Sequence, residues 1–201
     1  MKKFIIVILT VTLLCLAACT TLETYVENEG GYDVFPITNN FSDFNMGNYK
    51  LTHKKDSSYE GDNKTISTKE YLFYEGSAEI CKVEVITIEE KGFMLDTYEG
   101  FIKFLYNTGM NVEYKMTKNM ENYMTFQTGT GTVKFNYYKS RNKNDPGNSS
   151  ETVTGLDVLV NNERQGILAF YPDSFYLKKG TALSNNMALY VLSTHVSRVN
   201  N

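Results

Sequence analysis

DTYEGFIKFLYNTG, residues 96–109, decides how the rest of the chain is arranged. Read with a period of 3.6, Tyr98, Phe101, Ile102 and Leu105 fall at i, i+3, i+4 and i+7 and share one face. Asp96 stands at a helix N-cap position, and Glu99 follows three residues later, the spacing of a capping box. Gly109 is placed to end the helix. Gly100, inside it, weakens it slightly. The stretch therefore predicts an amphipathic helix whose aromatic stripe packs into a core.

The flanking segments alternate instead. In AEICKVEVITIEE, residues 78–90, Cys81, Val83 and Val85 are separated by Lys82 and Glu84, the period of a half-buried strand. This places the Cys81 thiol on an apolar face, as an inert core residue. Tyr49–Lys54 and Thr68–Tyr74 also read as strands, with residues 56–65 as a loop between them. After the predicted helix, Val112, Tyr114 and Met116, then Met124 and Phe126, then Val133, Phe135 and Tyr137, each alternate with polar residues. TGTG at 128–131 and NNERQ at 161–165 mark hairpins, whose short connections make antiparallel pairs.

The C-terminal stretch ALSNNMALYVLSTHVSRV, residues 182–199, is less regular. Ala, Leu and Met favour a helix, yet its apolar residues form no single clean stripe. Tyr190, Val191 and Thr194 would suit a strand. The expected fold is a single α+β domain, mainly antiparallel sheet, with one or two helices packed on one face. The alternative, if 182–199 is a strand, is an all-β sandwich or partly closed barrel.

The first twenty residues carry an address. Lys2 and Lys3 precede a run from Phe4 to Ala18 interrupted only by Thr10 and Thr12. About 20 apolar residues are needed to cross a bilayer as a helix. A shorter run with a charged start and small residues at its end reads as a secretory signal. Leu16-Ala17-Ala18-Cys19 resembles the lipobox of bacterial lipoprotein precursors. That resemblance covers residues 1–20 only. It implies a thioether-linked diacylglycerol on Cys19, with acyl chains such as palmitate, and cleavage before that residue. It also implies export and attachment to the bacterial membrane, the outer membrane if the cell is diderm, because Thr20 rather than Asp follows the cysteine. The expected organisation is a signal peptide at 1–18, a lipidated cysteine and tether at 19–40, and one globular domain at 41–201. The tether reading rests on Gly30-Gly31, Pro36 and the lack of any period between Thr20 and Asn40.

Composition narrows the partners. The chain carries net charge −3, and removal of the signal takes away two lysines. No basic excess remains to attract phosphates, which argues against nucleic acid. Cys15 lies in the signal and Cys19 carries the lipid, so Cys81 is the one thiol left and has no disulfide partner.

A catalytic set is hard to find. The two histidines, His53 and His195, are far apart in sequence and lack neighbours at metal-ligand spacing. Gly129-Thr130-Gly131 is a turn rather than a phosphate cradle. Asp56, Ser58, Glu60, Gly61 and Asp62 echo the start of a calcium loop, but Ser67 stands where the bidentate Glu is needed. The reading assigns no catalytic residue, no metal and no cofactor. Aromatic residues make up 13% of the chain, all Tyr and Phe. Tyr71, Phe73, Tyr137 and Tyr138 sit on predicted strands that place neighbours on opposite faces, so they are candidates for an aromatic binding surface. The leading expectation is a non-enzymatic envelope module that binds a partner protein or an apolar ligand. Two others stay open: an envelope hydrolase using His53 or His195 with acidic residues, and a structural or surface-exposed lipoprotein without a small-molecule site.

Overall fold

The computed structural model describes residues 31–40, 42–92, 95–117, 121–141 and 151–199. Twelve strands carry nearly all of it: β1 (Tyr32–Asn40), β2 (Asp43–Met46), β3 (Tyr49–Glu60), β4 (Lys64–Glu75), β5 (Ala78–Glu90), β6 (Thr97–Tyr106), β7 (Asn111–Lys115), β8 (Asn122–Thr128), β9 (Gly131–Arg141), β10 (Glu151–Val160), β11 (Glu163–Phe170) and β12 (Asp173–Lys178). One helix follows, α1 (Asn185–Val199). The sheet order is β7-β6-β5-β4-β3-β2-β1-β12-β11-β10-β9-β8. Apart from β7 and β8, each strand pairs antiparallel with its chain neighbour, and β1 also pairs with β12. The two ends of the sheet, β7 and β8, meet at a single bridge between Met116 and Met124. The result is a nearly closed all-β barrel. The expected α+β layout, with helices on one face of a sheet, is corrected by this closure.

The correction begins at residues 96–109. Thr97–Tyr106 is strand β6, paired residue by residue with β5 on one side and β7 on the other. Gly100, Ile102 and Phe104 point into the barrel and are buried, while Phe101, Lys103 and Leu105 face outward and are half covered. Apolar residues on both faces mask the period of 2 and leave a false period of 3.6. Gly109, with φ of 85°, ends no helix; its N–H donates to the Tyr106 carbonyl in the β6–β7 turn. Asp96 accepts from the Gly92 N–H instead of capping a first turn. Gly100 is required by close packing, since a Cβ there would fall 2.8 Å from the Met116 sulfur.

Residues 182–199 hold the one helix among the described residues, and its position explains its sequence. Every side chain from Met187 to Ser197 is buried. A helix apolar all round is a buried helix, so no single stripe should exist. It runs inside the barrel. Tyr190 stacks on Phe126 of β8 at 4.4 Å and lies 5.8 Å from Phe104 of β6. At its other end His195 meets Phe44 of β2 edge-on at 5.5 Å. Ser184 caps the start, its hydroxyl accepting from the Met187 N–H at 3.2 Å. A helix can occupy this interior because its backbone satisfies itself, where a strand would need neighbours. The barrel set beside the α+β fold as the alternative is thus reached with 182–199 helical, not extended.

The tether expected over 19–40 is shortened by this structure. Tyr32–Pro36 pair with β12 and Ile37–Asn40 with β2, so β1 joins the two halves of the sheet. Pro36, which has no N–H, sits where the ladder passes from one neighbour to the other. Cys19 and the signal lie outside the described residues. The loop expected at 56–65 is likewise mostly strand: β3 and β4 form a long hairpin whose turn is Gly61–Asn63. Hairpins appear where TGTG and NNERQ mark them, the second with Asn161 and Asn162 at φ of 51° and 68°. Cys81 is buried and free, and burial followed by the Glu79 charge pushes its thiol up to about 12.

Candidate functional site

One end of the barrel holds the C-terminus of α1, and there β3, β4, β5 and β6 run on past their neighbours. β2 is only four residues long and begins at Asp43, so the wall is low at that point. Asp43 finishes the short ladder with its side chain. One carboxylate oxygen accepts from the His53 N–H at 3.1 Å, and the other pairs with Lys50 at 2.8 Å. A small cleft of about 130 Å³ opens above it. Asn39 and Ser42 form one rim, His53 and Asp56 of β3 the second, and Lys69 and Tyr71 of β4 the third. Phe44 is the floor and Val199 of α1 closes one side.

A register shift brings the polar pair together. Between His53 and Lys55 the β3–β4 ladder carries a bulge, which re-aims the following side chains. His53 Nε2 then lies 2.8 Å from Asp56 Oδ1, although both are on one strand. The Asp56 side chain is 62% exposed and His53 26%, so the pair faces the cleft opening rather than the core. Behind it the aromatic contacts run inward: His53 to Tyr71 at 5.4 Å, Tyr71 to Phe44 at 6.5 Å, and Phe44 to His195 at 5.5 Å. The two histidines, 142 positions apart in the chain, thus stand at the same barrel end.

His195 is the buried member. Its Nε2 lies 3.9 Å from Asp173, which is held by Arg198 at 3.0 Å, and the Arg198 guanidinium sits 4.2 Å over Phe170. Burial, then the Arg198 charge, pulls the His195 pKa down to about 3, so the ring is neutral at pH 7. The unfolded chain binds that proton near pH 6.5 and the folded chain does not. Stability is therefore unaffected by this group above about pH 6.5 and declines below it, by about 2 kcal/mol by pH 5. Asp173, whose carboxyl burial holds above its usual range, binds its proton more readily folded than unfolded and so opposes the trend. Denaturant melts of His195→Leu between pH 7 and pH 5 are expected to lose this decline; an unchanged slope would place the proton elsewhere.

The aromatic candidates do not form a common surface. Tyr71 and Phe73 point into the barrel, 2% and 0% exposed. Tyr137 packs against the same core. Tyr138 faces the opposite way, buried with Ile167, Ala169 and Tyr176 on the outer side of the wall. Of the four, only Tyr71 reaches the cleft. Asn39, Ser42 and Asp56 were not among the residues singled out for binding. A shared rim built from β1, the turn after it and a bulged β3 leaves no motif in the sequence.

A wider groove of about 290 Å³ lies at the other barrel end, between Gly31, Tyr32, Arg164 and Lys178. Its guanidinium is already held by Asp157, with Arg164 Nε and Nη2 each 2.9 Å from a carboxylate oxygen. The mouth cleft has the more varied chemistry: carboxylate, imidazole, ammonium, amide and hydroxyl groups within one small volume. That set suits recognition of a polar group by hydrogen bonds. Among the described residues no cluster of His, Cys, Asp and Glu is arranged to hold a metal ion. Comparison with family models, curated proteins and solved structures returns no match.

Proposed function

We propose that this chain is a lipid-anchored protein of the bacterial cell envelope, a non-enzymatic module that holds a polar group of a ligand or partner protein at its barrel mouth. The observation that carries the reading is the polarity of the fold. β1 starts at Tyr32 opposite Lys178, at the end where α1 begins, and finishes at Asn40 beside the cleft. Only 11 residues separate Cys19 from Gly31. A lipid on Cys19 would hold the first end near the membrane and turn the cleft away from it. The barrel interior is filled by α1, so a carrier function of the hollow-barrel kind has no room.

The His53–Asp56 pair keeps the hydrolase reading in view, but its carboxylate is mostly exposed, and a general base gains from burial that tunes it toward neutral pH. Recognition is the better fit.

The anchor is tested first. Cys19→Ala is expected to abolish lipid labelling and release the protein from the membrane fraction or leave it as precursor. Normal labelling of that variant would refute the anchor. The recognition end is tested by a photo-crosslinking residue at Ser42, compared with the same residue at Ser77 at the far end. An envelope component captured at Ser42, not at Ser77, and lost in Asp56→Ala, is the expected result. Equal capture at both positions would remove the cleft from the account.

A further inference from the structure

We infer that the outer wall of β9–β12 is a docking site for the chain's own residues 20–30, which lay Leu22, Tyr25 and Val26 over it. The docking is independent of the mouth cleft and does not need the lipid. It starts from a patch that is buried on the wrong side of the sheet. Phe175, Leu177 and Leu168 point into the barrel core, so their neighbours Tyr176, Ile167 and Ala169 point outward. Tyr138 does the same beside the inward Tyr137. These four outward side chains are only 7%, 0%, 0% and 1% exposed, for Tyr138, Ile167, Ala169 and Tyr176. On the opposite wall the outward residues Leu72, Ile86, Phe101 and Leu105 are just half covered. A fully buried side chain is touched from all sides, typically by about 6–12 residues. Among the described residues every strand belongs to the wall and α1 lies within it, so none of these elements covers the patch.

The burial is found in one chain by itself, so the cover comes from that chain and not from a second copy. The sequence narrows the choice. Residues 139–152, which leave from the end of β9, hold Pro146 as their single apolar residue. Residues 20–30 hold Leu22, Tyr25 and Val26, and they lead directly to the patch. The Gly31 carbonyl accepts from the Lys179 N–H, and Tyr32 packs against the patch at its edge. The reach is sufficient. Four strand spacings separate β1 from β9, about 19 Å, while eleven residues span up to about 36 Å extended.

Charge points the same way. Lys178 and Arg164 line the groove of about 290 Å³ beside Gly31 and Tyr32, and Lys179 is exposed next to them. Asp157 pairs with Arg164, whose guanidinium also sits 5.6 Å over the Tyr138 ring. The margin that the incoming chain must cross is therefore basic. Residues 20–30 carry Glu23, Glu27 and Glu29 with no Lys or Arg, whereas residues 4–18 carry no charge to meet that margin. An apolar patch with a basic margin matches an apolar and acidic segment.

The test uses the full chain in detergent. A photo-crosslinking residue at Tyr25 is expected to join residues 138–176 of the same chain, as mapped on the monomer band after digestion. Separately, Ala169→Cys reports access to the patch, and Cys81 in the core reports global unfolding. The Ala169→Cys thiol is expected to react slowly with a maleimide. Adding Leu22→Ser, Tyr25→Ser and Val26→Ser should speed it roughly tenfold while Cys81 stays slow. If that variant unfolds, Cys81 reacts too, and the crosslink from Tyr25 decides alone. Crosslinks outside the patch, or between two chains, would overturn the proposal. So would an unchanged Ala169→Cys rate in the folded triple variant, which would assign the cover to another segment.

Discussion

A chain ending at Ser184, and so lacking α1, is expected to show no cooperative thermal transition. The helix is the middle of the core, not a cover on one side of it. Met187, Leu189, Tyr190, Val191, Leu192 and Val196 are all buried within the barrel. Fully burying one large apolar side chain contributes about 1.5–3 kcal/mol. Six of them together exceed about 9 kcal/mol, comparable with the whole stability of a typical domain. Their removal would also leave Phe44, Phe104 and Phe126 facing a cavity that water must enter. A single truncation, Leu192→Ala, should cost about 2–5 kcal/mol and preserve the fold. Circular dichroism through a thermal ramp separates the cases. A truncated chain that still melts sharply would mean the sheet closes on its own side chains.

Deleting Tyr32–Asn40 is expected to lower the melting temperature by more than about 10 °C, or to abolish folding. Among the described residues β1 is the one strand that joins β12 to β2, with five residues paired to the first and four to the second. Without it both become unprotected edges and Ile37, 6% exposed in the intact protein, is lost from the core. Chains that begin at Gly31 and at Phe41 make the comparison. Equal melting temperatures would return residues 32–40 to the tether.

What the sequence discloses and what it hides have the same origin. Strand β5 is readable because its inner residues, Cys81, Val83 and Val85, are buried and its outer neighbours Lys82 and Glu84 are ion-paired at 2.7 Å. One face is apolar and one is charged, so the alternation is clean. Strand β6 is unreadable because Phe101 and Leu105 lie on its outer face. Phe101 is shielded by Lys115, 5.7 Å above its ring, a neighbour 14 positions away that no local pattern can supply. The irregular stripe of 182–199 is itself informative once a helix can be surrounded: a segment apolar on every side, with Ser193 and Ser197 small enough to pack, belongs in the middle. β1 escapes notice because each half of it has a different partner, and Pro36 at the changeover looks like a linker residue.

The mouth cleft was the least legible feature. Tyr71 appears in both readings, but for different reasons, since its ring belongs to the core and only one edge reaches the cleft. His53 and Asp56 meet through a bulge that shifts register by one residue, and such a shift is set by pairing with β4 rather than by residues 53–56 themselves.

The central claim is that α1 lies inside a barrel and touches both halves of its wall. Nuclear Overhauser contacts from the rings of α1 test it most directly. The account predicts that Tyr190 shows contacts to Phe104 and to Phe126 in one sample, while His195 shows contacts to Phe44. Contacts from α1 to only one of these walls, with its other side open to solvent, would contradict it.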